Sequence, residues 1–188
     1  MIEIKGSAVG DSIRAVKARC GEQAYNTIVS QLKGEGRSLF EKGSIMPMSW
    51  YPLDAFVEFL ETDLAVTAHG NEEELIDRSE AVIEQQLSGI YRLFVKLGSP
   101  GFVLNRVSTV HQTYFRGVDI TVSLPEPGKA VLRYTGFEKR HRLIGKIIIG
   151  FYRKALEISG AKDVRAEFST PIEDGKGYCE LVLSWTDK

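Results

Sequence analysis

Asp174-Gly175-Lys176-Gly177-Tyr178-Cys179-Glu180-Leu181-Val182-Leu183-Ser184-Trp185 decides how this chain reads, because it closes a segment that runs strand, strand, long basic helix, strand, strand. The run from Tyr178 to Trp185 is the last strand, and the Glu173 to Gly177 turn joins it to a strand over Val164 to Phe168. Before these, a helix is predicted from about Gly136 to Ser159, ended by Gly160, with Thr135-Gly136-Phe137-Glu138 as its capping box. Val118 to Leu124 sets Ile120, Val122 and Leu124 against Asp119, Thr121 and Ser123, the alternation of a half-buried strand. Pro125-Glu126-Pro127-Gly128 turns the chain, and Ala130 to Tyr134 returns. Gly145 and Gly150 each weaken the helix by about 1 kcal/mol relative to alanine. Close packing on another backbone, either the sheet or a second copy of the helix, is therefore expected there.

The N-terminal half reads as helical. Met1 to Lys5 is a short strand or arm, and Asp11 or Ser12 is placed to cap a helix carrying Ile13, Val16 and Cys20. Gly21 breaks it, Glu22 to Leu32 continues, and Gly34-Glu35-Gly36 is read as the end of that run. Ser44 to Trp50 is a loop or short extended piece, and Pro52 opens a helix that reaches about Ala68 before Gly70-Asn71. Glu72 to Leu97 is the longest periodic stretch, and a further helix spans Phe102 to Phe115. The expectation is a single α+β domain over residues 1–188. Its helical part, about 1–117, packs on a small antiparallel sheet from the ββαββ part, about 118–188.

Of the 188 residues, 43% are hydrophobic, enough for one sizeable core, and the net charge of -1 gives no global attraction to nucleic acid or an anionic membrane. No apolar run approaches the ~20 residues of a membrane span, and the first residues lack the pattern of a signal peptide. Cys20 and Cys179 stand far apart, without zinc spacing, and read as free thiols of a cytoplasmic protein. A metal site is not expected.

Charge is segregated all the same. Asp54 to Glu84 carries ten carboxylates against Arg78, whereas the helix after Phe137 carries Lys139, Arg140, Arg142, Lys146, Arg153 and Lys154 against Glu138. Lys139, Arg140 and Arg142 crowd the positive end of the helix dipole, where a carboxylate, a phosphate or an acidic partner would relieve repulsion. Lys139, Arg140, Arg142 and Lys146 are accordingly the candidate anion or partner face. Ile147, Ile148, Phe151 and Tyr152 are read as the apolar centre of a homodimer or partner contact. Of the three histidines, His69 suits a helix end, His141 is read as part of the basic face, and His111 lies on the inner side of its helix. No nucleophile elbow, phosphate loop or zinc-protease motif is present, so an enzyme is not expected.

Leu132-Arg133-Tyr134 before the helix, Gly145 and Gly150 within it, Ser159-Gly160-Ala161-Lys162-Asp163-Val164 after it and Gly177-Tyr178-Cys179-Glu180-Leu181 in the last strand carry a resemblance. The chain resembles the ligand-binding superfamily that contains 4-vinyl-reductase-type domains, haem nitric-oxide-binding (H-NOX) domains and transport-particle (TRAPP) subunits. Within it the likeness is greatest to a myxobacterial-type bacterial family of this length. The resemblance implies a non-enzymatic sensory module with a small apolar ligand held between helices and sheet. Trp50, Tyr51, Val107, His111, Tyr114 and Tyr134 are then the candidate pocket. It also leaves open a haem-based gas sensor with His111 as axial ligand, or a ligand-free assembly platform. H-NOX domains carry Tyr-x-Ser-x-Arg to hold the haem propionates, and here that place reads Tyr134-Thr135-Gly136-Phe137-Glu138. Glycine replaces the serine and a carboxylate replaces the arginine, so haem is disfavoured and the cofactor unassigned.

Overall fold

The computed structural model describes residues 1–41, 45–86 and 99–186, apart from the side chains of Gln86, Val107 and Ser108. The fold is α+β, and the chain forms two compact units: Met1–Glu74 with Tyr114–Gly117, and Leu75–Thr113 with Val118–Lys188. The chain passes between them after Gly117, where the sequence places its change of character, and also after Glu74 and after Thr113.

In the first unit, β1 (Glu3–Lys5) is the middle of a three-stranded antiparallel sheet, between β2 (Trp50–Pro52) and β3 (Phe115–Arg116). Helix α1 (Gly6–Gln31) starts well before the expected cap at Asp11 or Ser12. The reason lies forty residues away: the amides of Gly6 and Ser7 donate to the carbonyls of Ser49 and Pro47, at 2.9 and 3.0 Å. A loop main chain thus does what a capping side chain would do. Gly21 interrupts α1 as expected, at φ 85°, a left-handed conformation that costs glycine little.

Gly34-Glu35-Gly36 does not end a helix but begins one, α2 (Gly34–Glu41). The carboxylate of Glu58, on α3 (Leu53–Thr67), accepts the Lys33 amide at 2.8 Å, which serves the positive end of α2. Pro52 is the residue before α3 rather than its first. The three helices close on an aromatic core in which Phe40 stacks on Phe59, centroids 4.6 Å apart.

In the second unit, β4 (Asp119–Glu126), β5 (Lys129–Thr135), β6 (Lys162–Thr170) and β7 (Tyr178–Thr186) form an antiparallel sheet of order β4-β5-β7-β6. Ala130, Leu132 and Tyr134 alternate inward on β5, and Cys179, Leu181, Leu183 and Trp185 do so on β7. Leu124 does not share this burial; it lies exposed near the end of the edge strand β4. The helix of the ββαββ segment, α6 (Arg142–Ile158), begins six residues later than about Gly136. A 3-10 turn, Lys139–His141, leads into it, and Glu138, not Thr135, makes a capping box on that turn: its carboxylate takes the His141 amide, and its own amide donates to His141 Nδ1 at 2.9 Å.

Gly145 of α6 lies against the side chains of Phe168, on β6, and Ile172, not against another backbone. Gly150 lies instead against Ile76 and Ser79 of α4 (Glu74–Gln86), neither the sheet nor a second copy. The remainder of the periodic stretch expected to reach Leu97 falls outside the described residues. Helix α5 (Pro100–Tyr114) follows. Among the described residues, no helix is long and apolar enough to cross a membrane.

Candidate functional site

The second unit holds a buried cluster of polar rings. Tyr134 reaches the core because the alternation of β5 turns it inward, and Tyr152 because it lies on the stripe Ile144, Ile148, Tyr152, Ala155 of α6. The Tyr134 hydroxyl donates to that of Tyr152 at 3.0 Å. Cys179 stands opposite Tyr134 in the β5–β7 register. On the other side, the buried His111 of α5 tilts against Tyr134 with centroids 5.0 Å apart, and Phe137 lies 6.0 Å from it.

Burial shapes the protonation of all four polar groups. It pulls the His111 imidazole down to about 4, leaving it neutral near pH 7. It holds the Tyr134 phenol well above its ordinary value, helped by Tyr152, and raises Tyr152 too. The Cys179 thiol is pushed up to about 12 by burial first and by Glu173 second. The cluster therefore carries no charge at neutral pH.

The other candidate pocket residues are placed as follows. Trp50, Tyr51 and Tyr114 belong to the first unit, His111 and Tyr134 to the second, and the side chain of Val107 lies outside the described residues. Trp50 has Lys5 and Arg116 over its ring at 4.5 and 4.1 Å. The Tyr51 hydroxyl accepts the Met46 amide at 2.9 Å.

His141 is not part of the basic face. It is buried to 1% exposure, and its ring is committed to the cap. The carboxylate that meets the crowded positive helix end is the chain's own Glu138, which also pairs with Arg140 at 3.1 Å. Lys139 lays its aliphatic stem over Gly175. Arg142 is exposed and Lys146 half-buried. Farther along α6, Arg153 pairs with Glu80 of α4 at 3.1 Å, so acidic and basic helices meet within one chain. Of the apolar centre expected for a dimer, Ile148 and Tyr152 are buried in the core, because the stripe facing the sheet includes them; Ile147 and Phe151 are half-buried.

A cleft of about 400 Å³ in the first unit was not anticipated from the sequence. It lies beside the Gly21 kink, with Tyr25, Val29 and Phe40 among its lining and the ion pairs Lys17–Glu22 and Arg37–Glu41 at its rim. Among the described residues, no group of three or more His, Cys, Asp or Glu is arranged to hold a metal ion.

No protein-family model matches the chain, and no curated protein matches its sequence. Solved structures do match. An Fe(II) unliganded H-NOX protein variant from K. algicida superposes with a TM-score of 0.75 at 14% identity, over 98% of each chain. An H-NOX protein from S. oneidensis in the Fe(II)NO ligation state gives 0.72 at 14% identity, over 98% of this chain and 100% of that one. The fold is that of H-NOX domains. An oxygen-binding H-NOX domain related to soluble guanylate cyclases, in its oxygen complex, gives 0.68 at 13% identity over 98% and 96% of the two chains. At such identities the likeness is one of fold.

A haem, which the resemblance to H-NOX domains implies, meets a divided set of residues here. His111 is buried and neutral, as an iron ligand must be. The anchoring side does not fit. The Tyr134 hydroxyl lies fully buried in the core beside Tyr152, among neutral groups where a propionate would bury its charge, and Glu138 presents a carboxylate where propionates need a cation.

Proposed function

We propose that this protein is a non-enzymatic sensory or regulatory module that binds a small, mostly apolar ligand. The H-NOX fold over nearly the whole chain carries the reading, and the uncharged cluster of His111, Tyr134, Tyr152 and Cys179 supports it. Ligand sites of this kind are apolar with a few placed polar groups. Native mass spectrometry of protein purified from its own host tests it, with thermal shift across a panel of hydrophobic ligands. A retained ligand mass or a saturable shift is expected; a clean apo mass with no shift replaces the module with a ligand-free assembly platform.

The second reading, a haem-based gas sensor, draws its support from the burial and neutrality of His111. Haem titration decides between them. A stoichiometric Soret band lost in His111→Ala makes the gas sensor the function.

The proposal extends to self-association or a protein partner on the face of Lys139, Arg140, Arg142 and Lys146. Sedimentation in low and high salt, beside an Arg140→Glu/Arg142→Glu variant, tests that part. A monomer in every condition removes self-association.

A further inference from the structure

The two hydroxyls of Tyr134 and Tyr152 contain two O–H donors, and the bond between them uses one. Whichever hydroxyl donates, one proton is left over, and among the described residues nothing accepts it. Tyr134 is 0% exposed and Tyr152 2%, so water does not reach the pair freely. A buried donor without an acceptor is destabilising and uncommon in native structures. Cys179, opposite Tyr134, does not hydrogen-bond to either oxygen. The rings of His111 and Phe137 pack on Tyr134 and carry no charge to balance an anion.

We propose that this hydroxyl pair is the polar anchor of the ligand site, and that it selects an uncharged ligand bearing one hydrogen-bond acceptor, such as a ketone. The inference rests on the ligand-binding reading and adds to it the class of ligand. The ligand's acceptor atom takes the left-over O–H while its apolar body replaces apolar contacts. A carboxylate would take the same proton but would bury its charge beside neutral groups, which is costly.

Three probes of similar shape separate these terms: acetophenone, α-methylstyrene, in which a methylene replaces the carbonyl oxygen, and benzoate. Affinities are measured by calorimetry on the full chain. Acetophenone is expected to bind roughly three- to tenfold tighter than α-methylstyrene, the worth of one hydrogen bond. Benzoate is expected to be weaker than acetophenone by roughly a hundredfold. Tyr134→Phe and Tyr152→Phe each leave one hydroxyl with no internal acceptor, so each single variant keeps the preference for acetophenone over α-methylstyrene. The Tyr134→Phe/Tyr152→Phe variant loses it.

Benzoate binding as tightly as acetophenone, or a ketone preference that survives in the double variant, overturns the proposal. An independent readout needs no variant: the infrared carbonyl band of bound acetophenone shifts to lower wavenumber, and an unshifted band overturns the proposal too. If none of the three probes binds, the proposal falls, while the wider ligand-binding reading stands or falls on its mass-spectrometric test.

Discussion

Gly150 of α6 lies so close to the Ile76 carbonyl of α4 that a β-carbon at this position would overlap it. Within the same crossing, Ser79 donates its hydroxyl to the Ile147 carbonyl at 2.8 Å. Gly150→Ala is therefore expected to destabilise the protein by about 1–3 kcal/mol, the usual cost of overpacking, despite alanine's better helix propensity. Gly145→Ala makes the contrast. Its β-carbon meets the Phe168 ring at 3.3 Å, an adjustable side chain, so the gain of about 1 kcal/mol in propensity offsets much of the strain. Urea unfolding of the two variants checks the pair; equal losses would contradict the difference drawn between backbone and side-chain neighbours.

Acid destabilisation should carry a signature of His111. Its folded value of about 4 lies below the ordinary 6.5, so the unfolded chain takes up the proton first as pH falls. The stability tied to the neutral ring is complete above 6.5, is lost between 6.5 and about 4, and changes no further below that. The full loss is about 3 kcal/mol at 1.36 kcal/mol for each pH unit. Stability curves of haem-free wild type and His111→Gln, from pH 7.5 to 4.5, should converge by about that amount. Parallel curves would show that His111 titrates normally.

The two thiols should differ in reactivity. Cys179 is buried, and with a value near 12 only about one part in ten thousand is thiolate at pH 8. Cys20 is partly exposed at the end of the α1 segment before Gly21. An aromatic disulfide reagent should label one thiol per native chain and the second only after unfolding. Peptide mapping that finds native Cys179 labelled ahead of Cys20 would contradict this.

His141 closes the 3-10 turn ahead of α6 by accepting the Glu138 amide, and it does so from a buried position. His141→Ala removes the cap bond and leaves a cavity, a loss of about 2–3 kcal/mol. His141→Gln keeps an acceptor at the third helical position, as glutamine does in a capping box, and should lose less. Thermal unfolding of the two variants distinguishes the cap from the packing; equal melting temperatures would assign the whole effect to lost volume.

The sequence by itself determined the antiparallel strands, the reversal of the chain that ends at Gly128 and the break at Gly21. These are short-range signals: side-chain alternation and helical spacing record which face is buried, and glycine or proline records where the backbone must turn. It also placed His111 on the inner side of its helix, where the structure buries it. Only the tertiary structure decided what those faces meet. The start of α1 depends on the carbonyls of Pro47 and Ser49, and the fate of Glu80 depends on Arg153. His141 reads as one more cation in a basic run until the fold buries it against its own cap. Tyr152 reads as a surface aromatic until the packing of α6 on the sheet brings its hydroxyl to that of Tyr134. In each case the deciding contact joins different elements, and local pattern encodes that a side chain is buried without encoding its partner.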